Sequence, residues 1–152
     1  MRIDLSSVPI EVGTTYPKAF RSVVAGRSRQ RVGNAAGLKN FGVNLTTLAP
    51  GSQSALRHWH SAQDEFVYIV QGELVLITDE GEQVLGPGDM AGFAAGVPNG
   101  HHFVNRSADP AAYLEIGDRT TADKANYPDH DLKCAADDEG TYHYFHKDGR
   151  AY

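Results

Sequence analysis

The sequence predicts an all-β fold, and three observations carry that prediction. Short runs rich in Val, Ile, Leu, Phe and Tyr recur at 41–48, 65–70, 73–78 and 111–117. Clusters of Gly, Pro and Asp separate them, at Ala49-Pro50-Gly51, Asp79-Glu80-Gly81 and Gly86-Pro87-Gly88-Asp89, which is the punctuation expected of strands and turns. Residues 1–40 carry no periodic helix long enough to form a separate helical module.

Taken in order, residues 1–19, with Pro9 and Pro17, read as an extended arm. Phe20 to Ala25 fits either a first strand or a short helical turn, and the glycine-containing stretch 26–37 reads as loop. In Phe41-Gly-Val-Asn-Leu-Thr-Thr-Leu48, alternation places Phe41, Val43, Leu45 and Thr47 on one face and Asn44 and Thr46 on the other. In the run from Glu65, an inward Glu65, Val67 and Ile69 leaves Phe66, Tyr68 and Val70 outward. A strand apolar on both faces must be covered twice, by the chain's own arms or by a second subunit, and a homodimer is the expectation. Asp79-Glu80-Gly81 predicts a hairpin. In the strand 111–117, Tyr113 and Glu115 share a face; if it is the inner one they line a pocket, and the outer placement stays equally open. The tail, rich in Tyr and His with a turn at Asp148-Gly149, predicts a terminal hairpin or a strap across the barrel.

The chemistry concentrates between Gly51 and Gly72. His58 and His60, at i and i+2 in an extended segment, point to the same side of a sheet. Glu65 follows after a four-residue insert and opens the next strand, where its carboxylate can face the same imidazoles. Two neutral nitrogens and a carboxylate are three ligands for a divalent cation. Asp64 is the alternative carboxylate, since a three-residue insert also serves.

Gly51, His58, His60, Glu65 and Gly72 together resemble the first motif of the cupin superfamily, with one extra residue between Gly51 and His58. The second motif is partly present as Gly92, Pro98-Asn99-Gly100, His101 and Asn105. Counted forward from Pro98-x-Gly100, the family's histidine ligand would fall on Phe103; counted back from Asn105 it falls on His101. The second count is preferred, because histidine and asparagine share one strand whose face is fixed while the preceding turn can change length. His102 would then point away. The resemblance covers about residues 40–117. It implies a double-stranded β-helix, or jelly-roll barrel: an N-terminal arm and first strand at 1–39, a barrel core at 40–117 and a C-terminal extension at 118–152. It also implies a metal site of His58, His60, Glu65 and His101 open to a small-molecule ligand. That ligand set leaves Mn, Fe, Zn and Ni open.

Other schemes find little support. The net charge is −5, with eight Lys/Arg against two Asp/Glu in residues 1–60 and six against seventeen in 61–152. The basic Arg21, Arg27, Arg29 and Arg31 lack interleaved aromatics in an acidic molecule, which argues against nucleic acid. They leave room for an anionic ligand. No apolar run reaches membrane-spanning length, and no signal-peptide core is visible, so a cytoplasmic location is expected. The single cysteine, Cys134, sits near Asp137, Asp138 and Glu139, whose charge disfavours a thiolate. No Gly-x-Ser-x-Gly elbow or dinucleotide fingerprint occurs. A second metal cluster from His130, His143 and His146 is conceivable, though surface roles suit them better. Three functions stay open: a metal-dependent enzyme acting on a small anionic or sugar-like molecule, with an Fe(II) dioxygenase as a branch; a non-catalytic metal and ligand binder; and a structural protein whose histidines satisfy one another.

Overall fold

The computed structural model describes residues 2–152. Its strands, in chain order, are β1 (Glu11–Val12), β2 (Arg27–Gln30), β3 (Phe41–Leu48), β4 (Trp59–His60), β5 (Glu65–Gln71), β6 (Leu74–Thr78) and β7 (Gly81–Leu85). There follow β8 (Met90–Phe93), β9 (His102–Val104), β10 (Ala111–Asp118), β11 (Lys124–Tyr127), β12 (Leu132–Ala136) and β13 (Tyr142–Phe145). One sheet has the order β1-β2-β3-β10-β5-β8, a second β13-β12-β11-β4, and a third β7-β6-β9. Isolated bridges at Gln53↔Val104 and His58↔His101 tie the second and third sheets together. The two joined sheets face the six-stranded one, and the result is a jelly-roll sandwich with a cavity between its walls.

The sequence pattern explains the interior. Along β5, Val67 and Ile69 are fully buried, while Phe66, Tyr68 and Val70 alternate outward and stay exposed. Their inward neighbours Leu48, Leu74, Leu76, Leu85 and Phe103 complete an aliphatic core between the six-stranded and three-stranded sheets. Each such side chain contributes about 1.5–3 kcal/mol by leaving water. A second cluster is aromatic: Tyr16 and Val24 of the N-terminal segment pack on Leu56, Tyr127, Leu132 and Cys134. Gly72, between β5 and β6, has φ 74°. A Cβ there would lie 2.8 Å from Ala111, so the close passage of these two segments requires glycine.

Two expectations change and one open choice is decided. Residues 26–37 are not a loop: Arg27–Gln30 is a strand paired antiparallel to β3, and Val32–Ala35 makes a helical turn. The strand was hidden because its inward positions are arginines, whose alternation with Ser28 and Gln30 lacks the usual apolar signal. Phe20 to Ala25 resolves to the helical option, a 3-10 segment Lys18–Val24. The arm is not extended throughout, since Leu5–Ser7 is a 3-10 turn capped by the Asp4 carboxylate, before Glu11–Val12 pairs with β2. The tail forms the hairpin β12–β13, extending a sheet that begins at β4. Among the described residues no helix is long and apolar enough to cross a membrane.

Candidate metal centre

Two segments meet at the centre of the cavity wall. The backbone of His58 exchanges hydrogen bonds with that of His101, 3.2 and 2.8 Å, so the two residues are cross-strand neighbours and do not face each other across the barrel. His60 continues the same segment, and Glu65 starts β5 on the facing sheet. One potential ligand atom from each of His58, His60 and Glu65 lies within 4.8 Å of the others, the only such group among the described residues. The His58 ring centroid lies 5.0 Å from those of His60 and His101.

The outer nitrogens of the first two imidazoles are already committed. His58 Nδ1 lies 2.8 Å from the Leu56 carbonyl, which can only accept, so Nδ1 carries the proton and Nε2 keeps its lone pair. His60 Nδ1 donates to Asp123 Oδ2 at 2.6 Å. Asp123 is fully buried and also accepts from the Ala62 amide at 2.9 Å and the Tyr142 hydroxyl at 3.0 Å. A carboxylate behind a ligand histidine fixes its tautomer and raises its basicity. Glu65 Oε2 sits 3.3 Å from His101 Nε2. The His101 ring stacks on Phe93 with centroids 3.5 Å apart, and its buried Nδ1 has no partner.

Ionisation follows from this packing. Burial, with the neighbouring His101 and His60, pushes His58 down to about 3, so it stays neutral. Burial acts to lower His60 as well, but the hydrogen bond and charge of Asp123 outweigh it and the net shift is upward. For Asp123, burial is outweighed by His60, and the carboxyl falls to about 2. Glu65 is likewise held below the usual carboxylate range, with burial overcome by His101. The neutral His58, with Nε2 open, and the ionised Glu65 are the donor types that suit a divalent cation, so the donor set fits one.

The alternatives separate from this group. Asp64 is exposed and its Oδ1 accepts the Ala95 amide at 2.8 Å. His102 turns the other way, with Nδ1 3.0 Å from the Ala55 carbonyl. His143 pairs with Asp137, His146 with Asp131, and His130 packs edge-on against Phe20, so these three do not gather.

A cavity of about 740 Å³ opens from the cluster. Tyr113 and Glu115 line it, which places their shared face inward. Arg27 and Arg29 of β2 line it too, as do Asn44, Tyr127 and Cys134. The Tyr127 ring stacks on His58 with centroids 5.7 Å apart. Burial pushes the Cys134 thiol up to about 11, so it is not a thiolate nucleophile. Sequence reasoning missed Asp123 and Tyr127, and it left room for an anionic ligand near Arg27 and Arg29 without placing them on the inward face of a strand. Only the Arg27-x-Arg29 spacing offered a signal, the two-residue period of a strand; for Asp123, 63 residues from its partner, there was none.

A model of the cupin domain family matches residues 44–117. A structure from Silicibacter pomeroyi, described as a sugar phosphate isomerase from a cupin superfamily, is 45% identical, covers 100% of this chain and 96% of its own, and superposes with a TM-score of 0.96. A provisionally assigned sugar phosphate isomerase from Acidithiobacillus ferrooxidans is 25% identical over 83% of this chain and 80% of its own, TM-score 0.74. The polyketide cyclase RemF of Streptomyces resistomycificus, 18% identical over 78% of each chain with a TM-score of 0.64, shares the fold. No functionally curated protein matches the sequence.

Proposed function

Since this chain belongs to the cupin superfamily, we propose that it binds a divalent metal through His58, His60, Glu65 and His101 and acts there on a small, anionic, sugar-like molecule. The observation that carries this reading is the outward commitment of His58 Nδ1 and His60 Nδ1, which leaves both Nε2 atoms free beside the Glu65 carboxylate. His101, whose Nε2 lies 3.3 Å from Glu65, would be the fourth group to hold the ion. Mn, Fe, Zn and Ni all suit three imidazoles and a carboxylate. Such an ion, when bound, supplies Lewis acidity toward a ligand oxygen.

The remaining work falls to the chain. Asp123 holds the His60 ring so that Nε2 presents its lone pair. Phe93, flat against His101, limits that ring's rotation and keeps water from its face. Tyr127 covers His58 from the other side. The cavity, about 740 Å³, is the size of a small-molecule site, and its polar wall favours a hydroxylated ligand over an apolar one. The 45% identity to a structure described as a sugar phosphate isomerase supports the same ligand class.

The exposed outer row of β5, Phe66, Tyr68 and Val70, continues onto Met90 of β8, and neither arm of the chain covers it. A second copy of the chain is the proposed cover.

The test is elemental analysis of protein purified without chelators, followed by incubation of the metal-loaded protein with aldose and ketose phosphates. About one equivalent of a transition metal, with isomer interconversion detected by NMR, is the expected outcome. Oxygen uptake with Fe(II) in place of interconversion would move the protein to the dioxygenase branch. Metal-free protein that refuses Mn, Fe, Zn and Ni would defeat the reading.

A further inference from the structure

The wall opposite the histidines holds a cation without a counter-charge. Arg27 is 9% exposed. Its guanidinium donates to the carbonyls of Ser54, 2.6 Å, and Gly13, 3.2 Å, and forms no ion pair among the described residues. Backbone carbonyls satisfy its hydrogen bonds and leave its charge uncompensated, which is costly in a buried setting. Its neighbour Arg29 faces the same cavity and is paired, donating to Glu115 at 3.3 Å, while Asn44 donates to the other Glu115 oxygen at 3.1 Å.

The polar groups left over fall on one row. Register pairs Arg29 with Thr46 across β2–β3, and Thr46 with Tyr113 across β3–β10. Arg29 Nε and Thr46 Oγ1 are both buried with no hydrogen-bond partner, and the Tyr113 hydroxyl makes no hydrogen bond with any described residue. Buried donors are nearly always paired, so an unpaired Arg29 Nε, with the Tyr113 hydroxyl and a guanidinium that lacks a counter-charge lining the same cavity, marks the place of something that accepts. Resting on the reading that this cavity is the substrate site, we propose that Arg27 and Arg29, flanked by Tyr113, hold an oxyanion of the ligand, a carboxylate or a phosphate, while its other end reaches toward His58, His60 and Glu65. Arg27 supplies the uncompensated charge. Arg29 is steered by Glu115, so that its Nε is offered to the ligand while its terminal nitrogen is engaged. Of the other acids that line the cavity, Glu11 is bound to Arg31, and none of Asp64, Asp118 and Glu139 forms an ion pair with Arg27 or Arg29 among the described residues.

The experiment is isothermal titration of the full chain, metal-loaded, with inorganic phosphate, ribose 5-phosphate, ribonate and ribose at constant ionic strength. Ribose 5-phosphate or ribonate should bind about tenfold or more tightly than ribose, and the stronger of the two identifies the oxyanion. Arg27→Gln should erase that preference while elemental analysis shows unchanged metal content. If Arg27→Gln does not fold, Arg29→Gln, which leaves Glu115 its Asn44 bond, serves in its place. Equal binding of ribose and both anions by the wild type overturns the proposal, as does undiminished anion binding in whichever variant folds. Anion preference in wild-type protein that holds no metal would instead sink the metal reading and leave this subsite standing.

Discussion

The stretch matched by the cupin family model, 44–117, and the segments that flank it contribute to the cavity in different ways. The matched stretch brings His58, His60 and Glu65, whose potential ligand atoms lie close enough to share an ion, with His101 3.3 Å from Glu65 beside them. The flanks bring Arg27 and Arg29 from one side of the chain, and Asp123, Tyr127 and Tyr142 from the other. The matched stretch therefore offers the candidate ligands, and what surrounds it sets the tautomer of His60, the charge of the far wall and the polarity of the space between. Chemistry that varies among proteins of one fold resides in such additions, and here they lie in β2, β11 and β13 and the residue that leads into β11.

The comparison breaks most visibly inside the matched stretch. His60→Ala removes a ligand group and strands the buried Asp123 carboxylate, so stoichiometric metal should disappear by elemental analysis; full occupancy in the variant would refute the role of His60. Next in size is Ile69→Ala, in the aliphatic half of the same stretch, which should cost about 2–5 kcal/mol in urea unfolding. It touches none of the four candidate ligands, so metal should still bind the folded fraction. In the flank, Asp123→Ala should weaken metal about 10–100-fold in a chelator competition, the range found when a ligand histidine loses its supporting carboxylate. A change as large as that of His60→Ala would mean that Asp123 itself binds the ion.

Acid sharpens the same contrast in metal-free protein. His58 titrates near 3 when folded and near 6.5 when unfolded, so between those values the unfolded chain binds the extra proton and stability falls as pH drops. Asp123, lowered to about 2 from 3.8, stabilises the fold above about 4, and that contribution is lost only as pH falls further toward 2. His60, raised, acts the other way: its contribution is complete below 6.5 and fades as pH rises through its folded value. Urea midpoints should thus decline from pH 6.5 to 4, and His58→Gln should flatten that slope, leaving a residue from His102, which burial also lowers. An unchanged slope in His58→Gln would show that His58 is not the buried neutral imidazole described.

How much of this was legible follows the same division. The histidine pair, Glu65 and the inward Val67 and Ile69 could be read because strand periodicity and a spaced motif act over a few residues. The sheet that holds Asp123 against His60 depends on pairing β11 with β4, a contact between distant segments that no local pattern specifies. The strand at Arg27–Gln30 looks like a loop in the sequence because strand recognition leans on apolar alternation, and a strand lining a polar cavity replaces apolar residues with charged ones. What hides a segment from pattern reading is here what fits it for binding. His101 is preferred over His102 in the sequence because it shares a face with Asn105, whose buried amide donates to Leu48 and Asp109; its ring lies beside Glu65, while that of His102 bonds the Ala55 carbonyl.

The smallest expected effect lies one step further into the flank. Tyr142, on β13, donates its hydroxyl to Asp123 Oδ2 at 3.0 Å, the oxygen that also accepts from His60, with Gln63 Oε1 also in reach at 3.1 Å. Tyr142→Phe keeps the ring and deletes one donor to that carboxylate, leaving Ala62 and His60 in place. The loss should be about 0.5–1.5 kcal/mol of stability, with metal affinity changed no more than a few-fold, because His60 Nδ1 still finds its acceptor. The carboxylate freed of one donor becomes a stronger acceptor for His60, which opposes the weakening. A variant binding metal as poorly as Asp123→Ala would show that Tyr142 orients Asp123, and that the C-terminal hairpin governs the ion as directly as the barrel does.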